Sequence, residues 1–489
     1  MQVAEYGCRW ARRALVAIAT IALSHEVAAA ADNAPNKDTA PTPTAQSLPD
    51  ALRQLTDPGG WRSKLEQAGL QFAFTYYGDG FGNPRGGVTQ GSGYDGRFGI
   101  IIDADMEKLA GWSGASVHAS IHQIHGSQFS ATRLQNFALV SGIEAPPSTR
   151  LFNLWMEQKI GGDVNLRLGQ FSAAQEFLVS PTAALFVNAT FGWPMLPAQD
   201  LPSGGPSYPE ATPGVRVAFT PTDQLTLRAA IFNGDPAGPG PGNPVDRDPY
   251  GLAFRLRDPP LFIAELAYAW NQDKSSLQEN PHQEGGGRPA ARARTQELPG
   301  TLKLGGWLHT GQFADQRLDS LGGLLAVSGA PALQHSGNFG LYGIIDQTLW
   351  HAPGNGPGEF SAFMRAVAAP ADRNLIDIYL DAGMTYKGLF DSRPDDIAGL
   401  GVAYGRVSPR ATAFDRDVVN LTRRVMPTRD YEAVVELSYQ MKLADDWSLQ
   451  PNVQYVVHPG GHVPDPQDPS GTNAIRDALV FGMRTMLKF

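Results

Sequence analysis

The sequence predicts an all-β protein, a transmembrane antiparallel β-barrel of sixteen strands with a short N-terminal helix. Past the first 31 residues, no apolar run is long enough for a membrane-spanning helix, so membrane residence would require strands. A hydrophobic period of two residues recurs in short segments from Leu70 onward, as strands require. Glycines and prolines, 54 and 38 of 489 residues, separate these segments in the manner of turns.

Residues 1–31 are predicted to be a signal peptide. Arg12 and Arg13 precede the apolar stretch 14–23, and the small residues over 27–31 suit cleavage by signal peptidase. We therefore expect export and, for a barrel, residence in the outer membrane of a Gram-negative bacterium. Cys8 is the only cysteine and would leave with this segment, which excludes disulfides and thiolate metal sites from the mature chain.

Two predicted segments follow the signal peptide. Residues 32–58 are expected to be a disordered leader, because Ala, Pro, Thr and Asn dominate its beginning. Residues 59–489 are expected to form the barrel, with Trp61 and Leu65 marking one short helix at its start. The net charge of -9 argues against nucleic-acid binding as the main task.

Seventeen segments have the period and the length of tilted membrane strands. They are 70–78, 97–106, 115–124, 151–160, 164–171, 215–220, 225–233, 252–257, 261–271, 301–310, 339–350, 359–368, 375–386, 397–407, 431–443, 447–457 and 475–489. A closed antiparallel barrel with both ends on one side needs an even number. Either one segment between Leu252 and Phe339 is false, or a weak strand hides within 324–327, and we predict sixteen.

The last segment has the clearest pattern. From Leu479 to Phe489 the alternate positions are apolar apart from Thr485, while Arg484 and Lys488 have the opposite parity. Outer-membrane barrels commonly finish on a phenylalanine that the assembly machinery recognises. We therefore interpret this segment as the closing strand and Phe489 as an assembly signal.

Between residues 151 and 271, charged and apolar side chains occupy opposite faces of the predicted strands. Charge facing lipid costs about 2–4 kcal/mol for Arg or Lys at the bilayer midplane, so these charges are predicted to face the lumen. They form an expected eyelet arc of Glu157, Arg167, Arg216, Arg228, Arg255, Arg257 and Glu265. Sugar hydroxyls both donate and accept hydrogen bonds, which suits guanidinium and carboxylate groups together. The alternative is that these charges only pair with one another.

Aromatic and loop residues complete the predicted site. Trp155, Phe232 or Trp193 would supply a face for a pyranose ring. The apolar link 172–213 follows the fifth strand, where many porins fold an external loop into the lumen. We predict that it is a constriction loop rather than an exposed one, and within it we single out Glu176, Phe177, Asn188 and Trp193.

A series of short stretches carries a family resemblance through its order and spacing. These stretches are 59–65 (GGWRSKL), 93–96 (GYDG), 109–115 (LAGWSGA), 169–171 (GQF), 175–177 (QEF), 191–194 (FGWP), 302–307 (LKLGGW), 340–343 (GLYG), 393–396 (RPDD) and 450–455 (QPNVQY). Over residues 59–489 the chain resembles the carbohydrate-selective porins of the OprB family. The resemblance implies a sixteen-stranded outer-membrane barrel that passes monosaccharides, glucose above all, through an eyelet lined with Arg and Glu.

The expected partners are small sugars, outer-membrane lipid and the barrel assembly machinery, with a homo-oligomer left open. We expect no enzyme activity and no cofactor, because the sequence has neither a nucleophile elbow nor an HExxH motif. We expect no metal, because His118 and His122 share a strand face that His125 does not. Two alternatives remain. One is a general diffusion porin without sugar preference, and the other is a secreted β-rich glycoside hydrolase using Glu157 and Glu265.

Overall fold

The computed structural model describes residues 47–272, 297–353, 356 and 358–489, which form a closed barrel. Its sixteen strands pair antiparallel in sequence order, and β1 closes the barrel against β16. The strands are β1 Leu70–Gly87, β2 Gly91–Asp105, β3 Ala115–Gly126, β4 Ser148–Ile160, β5 Val164–Phe171, β6 Thr212–Phe219, β7 Leu225–Asn233, β8 Pro260–Trp270, β9 Gly300–Asp319, β10 Ala332–His351, β11 Glu359–Ala368, β12 Ile376–Lys387, β13 Ile397–Val407, β14 Tyr431–Ala444, β15 Trp447–Val457 and β16 Arg476–Lys488. The predicted fold class and strand number are confirmed.

Short helices lie before the barrel and in its links. They are α1 Leu48–Thr56, α2 Trp61–Ala68, α3 Met106–Ala110, α4 Met195–Asp200, α5 Pro244–Arg247, α6 Leu325–Ser328, α7 Pro409–Thr422 and α8 Pro459–His462. Within the described ranges, none of the helices is long and apolar enough to cross a membrane.

The N-terminal prediction is correct for one helix and wrong for another. Helix α2 is the predicted short helix. Residues 48–56 were predicted to belong to a disordered leader but form α1, because the Ser47 hydroxyl accepts a hydrogen bond from the Asp50 amide and Pro49 occupies the first turn. The predicted signal peptide and most of the predicted leader lie outside the described residues.

The two rims of the barrel carry different links. At the terminal rim, where β1 begins and β16 ends, residues 161–163 join β4 to β5 and 445–446 join β14 to β15. At the opposite loop rim, residues 127–147, 172–211 and 234–259 form long links. Short turns on one rim and long loops on the other are typical of outer-membrane barrels. The link of residues 271–299, which joins β8 to β9 at the terminal rim, is a long exception.

The surplus seventeenth segment is 252–257, which is not a strand. Its residues alternate like a strand, but they lie in the link between β7 and β8, with Phe254 at φ 42° and Leu256 81% exposed. Asp258 and Pro259 separate this segment from β8, and proline cannot donate a hydrogen bond to a strand ladder. The two strands that follow β8 are longer than predicted, so β9 and β10 take up much of the sequence that appeared to be loop.

Side chains alternate between the two faces of the barrel wall as predicted. Leu227 and Ile231 of β7 are 42% and 40% exposed on the outer face, whereas Arg216 of β6 is buried on the inner face. Phe152 is an exception, because its position in β4 has the opposite parity to Glu157 and the alternation therefore predicts that it faces outward. A register shift between β3 and β4 at this point turns Phe152 inward, where its ring stacks on His122 at a centroid distance of 4.8 Å.

Phe489 is hydrogen-bonded to the first strand and stacks on it. Phe489 and Phe74 exchange two backbone hydrogen bonds of 2.9 Å, and their rings stack at 5.8 Å. Arg484 of β16 reaches Asp79 of β1 at 2.8 and 2.7 Å, on the inner face. The closing seam therefore combines a backbone ladder with a buried ion pair.

We predict that Phe489→Ala lowers the amount of folded barrel in cells severalfold while the purified chain still folds in detergent micelles. The substitution removes one ring contact at the end of the seam but leaves the Arg484–Asp79 pair. Heat-modifiable migration in gels measures both quantities. Phe481→Ala, which removes an outward aromatic ring from the same strand, is the matched control and should leave the cellular amount unchanged. Equal losses in cells and in micelles would contradict a role of Phe489 in assembly.

Candidate functional site

The link between β5 and β6, residues 172–211, lies inside the barrel, and we call it the infolded loop. Its apolar side chains Leu178, Phe191 and Leu196 are at most 1% exposed and belong to the central hydrophobic cluster. The loop contacts the inner wall from Glu265 on β8 to Gln450 on β15. The predicted constriction loop, residues 172–213, thus lies in the lumen except at its end. Its last two residues, Thr212 and Pro213, belong to β6.

Four of the predicted site residues meet where the infolded loop leaves the wall, and we call them the Arg/Glu cluster. They are Glu157 on β4, Arg167 on β5, Arg216 on β6 and Glu176 on the loop. Arg167 Nε donates to Glu157 Oε2 at 2.9 Å, and Arg167 Nη1 donates to Glu176 Oε1. Arg216 Nη2 donates to the same two carboxylates, at 2.9 Å to Glu157 Oε2 and 3.4 Å to Glu176 Oε1, and its Nε forms an ion pair with Glu176 Oε2 at 3.1 Å.

Strand register explains why the cluster needs a residue from the loop. Arg167 lies directly opposite Glu157 on one side and directly opposite Arg216 on the other. Two guanidinium groups facing each other across a sheet repel, and Glu176 supplies the second negative charge. Although burial opposes ionisation of Glu176, Arg167 and Arg216 lower its pKa, so the loop carboxylate is charged.

A second ion pair lies further along the same wall. Arg228 of β7 is directly opposite Glu265 of β8, with Nη1 3.3 Å from Oε1. The other oxygen of Glu265 accepts hydrogen bonds from the Tyr342 hydroxyl at 3.0 Å and from the Leu178 amide at 3.3 Å. Glu265 therefore binds both the wall and the infolded loop.

Acidic residues on the far wall hold the infolded loop by its backbone. Glu436 of β14 accepts hydrogen bonds from the Val187 and Asn188 amides at 2.8 and 2.9 Å. Asp346 of β10 accepts from the Thr182 amide at 3.2 Å. These residues were missed by the sequence interpretation, which followed the charged face only as far as β8. The same parity rule, continued along β10 and β14, would have found them.

Glycines on β13 leave room for the apolar side chains of the infolded loop to pack against the wall. Gly399, Gly401 and Gly405 face inward, and a Cβ atom at Gly401 would lie 2.8 Å from the Phe191 ring and 3.0 Å from the Phe186 ring. Larger residues at these positions would occupy the space that the loop side chains fill.

Two predicted eyelet residues are not on the wall. Arg255 and Arg257 lie in the β7–β8 link because residues 252–257 are not a strand. Arg255 pairs with Asp258, with Nη2 2.6 Å from Oδ1, and its guanidinium packs against Gly238. Arg255 and Arg257 are therefore not part of the eyelet arc that the sequence predicts.

Two of the three predicted aromatic faces are covered by protein. Phe232 is 1% exposed and packs on Phe171. Trp155 is 3% exposed, and the Arg167 guanidinium lies 3.7 Å from its ring centroid, a cation–π contact that stabilises the cluster. Trp193 of the infolded loop is partly buried and donates to Gly204 O at 3.0 Å. Neither Phe232 nor Trp155 offers an open ring face to a sugar in this structure.

The two remaining loop residues that the sequence singled out anchor the loop. Phe177 is fully buried in the central cluster. Asn188 donates from its amide nitrogen to Ala138 O at 3.1 Å and to Gln454 Oε1 at 2.9 Å. Their contacts are with other parts of the protein.

A closed sixteen-stranded barrel with an apolar outer face, a polar inner face and a loop in its lumen defines an outer-membrane porin. Residues 89–489 match the family described as carbohydrate-selective porin, OprB family. The chain belongs to this family, which places it in the outer membrane of a Gram-negative bacterium as a carbohydrate porin and gives it the fold of a channel rather than an enzyme.

Individual relatives agree with the family assignment. The chain is similar to Porin B of Pseudomonas aeruginosa, with 23% identity over 458 residues covering 90% of this chain and 92% of that protein. It is also similar to the putative porin QuiX of Acinetobacter baylyi, with 21% identity covering 89% of this chain and 92% of that one. A solved structure of OprB from Pseudomonas putida matches with a TM-score of 0.75 at 22% identity, covering 88% of this chain and 97% of that chain, and supports the fold.

We predict that Gly401→Val raises both the mean conductance and the noise of the open channel severalfold. Valine suits a strand, but its side chain would displace the rings of Phe186 and Phe191, so the infolded loop would lose its packing against β13. Single-channel recording in planar bilayers measures the effect. Val402→Leu, on the outer face of the same strand, is the matched control. Unchanged conductance and noise in Gly401→Val would show that the loop does not depend on this contact.

Proposed function

We propose that the barrel conducts glucose-type monosaccharides passively, without a cofactor, along the part of the lumen that the Arg/Glu cluster and the Arg228–Glu265 pair face. The family assignment supports a carbohydrate, and the arrangement of charges supports a neutral one. The observation that carries the proposal is the interleaving of Arg167 and Arg216 with Glu157 and Glu176 at the junction of wall and loop.

Charge balance favours a neutral polar solute over an ion. Glu157, Glu176 and Glu265 offset the charges of Arg167, Arg216 and Arg228, so these six side chains together, which we call the Arg/Glu arc, have no net formal charge. The side chains of Glu157 and Arg228 are 12% and 16% accessible on the inner face, whereas Arg167 is 1% accessible. We assign Glu157 and Arg228 to direct sugar contact and the more buried members to positioning them.

Positioning matters because a sugar must exchange water for protein hydrogen bonds as it passes. Glu157 is fixed by two arginines and by the Asn165 amide at 2.8 Å. Polar groups held in place in this way pay less conformational entropy when they bind a solute than mobile side chains do. The arc would therefore offer hydrogen bonds to hydroxyl groups without retaining the sugar.

The infolded loop is proposed to set the bore. Glu176, Phe177, Asn188 and Trp193 would act as anchors that keep the loop across the lumen, and the sugar would pass beside it. The proposed processing is removal of residues 1–31 on export, with small sugars, membrane lipid and the assembly machinery as partners.

We predict that liposomes containing the purified protein swell faster in glucose than in a neutral non-sugar solute of the same size. The Arg/Glu arc offers paired donors and acceptors that sugar hydroxyls can use. Swelling rates, corrected with protein-free liposomes, measure the difference. Equal rates for the two solutes would support the alternative of a general diffusion porin.

We predict that Arg228→Ala weakens the block of ion current by glucose severalfold and shifts the reversal potential toward cation preference. The substitution removes the more accessible guanidinium, and Glu265 keeps its bonds to Tyr342 and Leu178. Arg257→Ala is the matched control, since Arg257 lies outside the barrel wall. Unchanged sugar block in Arg228→Ala would remove Arg228 from the sugar path.

A further inference from the structure

Three potential metal ligands converge at the loop rim, away from the Arg/Glu cluster. Asp430 precedes β14, and His458 and His462 follow β15. One ligand atom from each lies within 4.8 Å of the others, and this is the one such group among the described residues. His458 Nδ1 is 2.9 Å from Asp430 Oδ1, and His462 Nδ1 is 3.9 Å from Asp430 Oδ2.

The backbone between the two histidines brings both rings to the same carboxylate. The sequence from His458 to His462 is His-Pro-Gly-Gly-His, and four of its residues have positive φ: 51° and 74° at the histidines, 66° and 74° at Gly460 and Gly461. Non-glycine residues rarely adopt positive φ, and such conformations concentrate at functional sites.

Contacts beneath the turn hold this conformation. The Gly460 amide donates to Glu432 Oε2 at 2.7 Å, and the His458 amide donates to Asp477 Oδ1 at 2.9 Å. A Cβ atom at Gly461 would lie 2.7 Å from Val407 and 2.9 Å from Phe137. The turn is therefore built into the wall rather than free at the rim.

We propose that Asp430, His458 and His462 bind a divalent metal ion of the zinc class. Imidazole nitrogen and carboxylate oxygen are ligands that zinc accepts together. Ligand atoms at the corners of a tetrahedron around zinc lie roughly 3.3 Å apart, given bonds of about 2.0–2.1 Å. The separation of 2.9 Å from His458 Nδ1 to Asp430 Oδ1 is below this value, and the separation of 3.9 Å from His462 Nδ1 to Asp430 Oδ2 is above it.

The exposure of the three side chains suits an open site. Asp430, His458 and His462 are 41%, 25% and 36% accessible, which leaves room for water or an external ligand at the remaining coordination positions. An ordinary hydrogen bond to Asp430 would account for His458. It does not account for His462, whose ring is held parallel to that of His458 at 4.2 Å and turns its Nδ1 toward the same carboxylate.

Nearby charged groups leave the carboxylate of Asp430 available to a cation. The neighbouring Arg429 is bound to Asp415, with Nη2 2.7 Å from Oδ1. Asp477, which accepts a hydrogen bond from the His458 backbone amide, adds negative charge nearby. A bound ion would join the β13–β14 link to the β15–β16 link and stiffen this part of the loop rim. The sequence did not indicate the site because Asp430 and His458 are 28 residues apart in different predicted segments.

The test is zinc binding by the full-length protein in detergent, freed of metal with a chelator and carrying no histidine tag. Isothermal titration with Zn²⁺ alone should show one site per chain. The double variant His458→Asn/His462→Asn should bind more weakly by more than the roughly 10–100-fold that outer-shell partners of a metal site contribute. Asparagine is chosen because it tolerates positive φ.

His351→Asn, a substitution at the terminal rim, is the control and should bind zinc like the unaltered chain. Heat-modifiable migration checks that each variant is folded, and Asp430→Asn serves if the double variant is not. Cobalt(II) added to the unaltered protein should give a visible absorption band that zinc abolishes. Zinc binding no tighter in the unaltered protein than in the folded variants, or no cobalt band, would overturn the proposal.

Discussion

The structure depends on satisfying the backbone of a loop that lies inside a barrel. The infolded loop has only short helical turns, so many of its amides find no partner within the loop, and a buried unpaired amide is costly. Acidic side chains on the inner wall meet this need, as Glu436 does for Val187 and Asn188 and as Glu265 does for Leu178. The polar inner face thus supplies hydrogen-bond partners to the infolded loop as well as bordering water in the lumen.

A single alternation along each strand serves both the membrane and the loop. On β13, Leu400 and Val402 are 39% and 45% exposed on the outer face, while Gly399 and Gly401 alternate with them in sequence and face inward. The large residues suit lipid and the glycines admit the rings of the infolded loop. Substitutions on the two faces of one strand therefore have unrelated consequences.

The alternation of apolar and charged residues predicted which side chains face inward, but it did not predict which segments pair as strands. The parity of Arg167, Arg216 and Glu265 correctly placed them on the inner face. The even-number rule showed that seventeen segments could not all be right, and the family resemblance favoured sixteen strands over eighteen. Residues 252–257 show the limit, because their alternation is that of a strand while their proline-rich flank and their place in the link prevent pairing. Helix α1 was missed because its cap at Ser47 adjoins a stretch of disorder-prone composition.

Contacts across the lumen required three-dimensional information. Nothing in the order of residues indicates that Glu176 of the loop would meet Arg167 and Arg216, which face each other only through the register of β5 and β6. Once they do, the position of the loop and the charge of the lumen are no longer independent. Withdrawal of the loop would remove Glu176 and leave two adjacent guanidinium groups sharing the one carboxylate of Glu157. Because a buried charge without its partner is strongly unfavourable, electrostatics opposes that withdrawal, and the same carboxylate that neutralises the wall holds the loop in place.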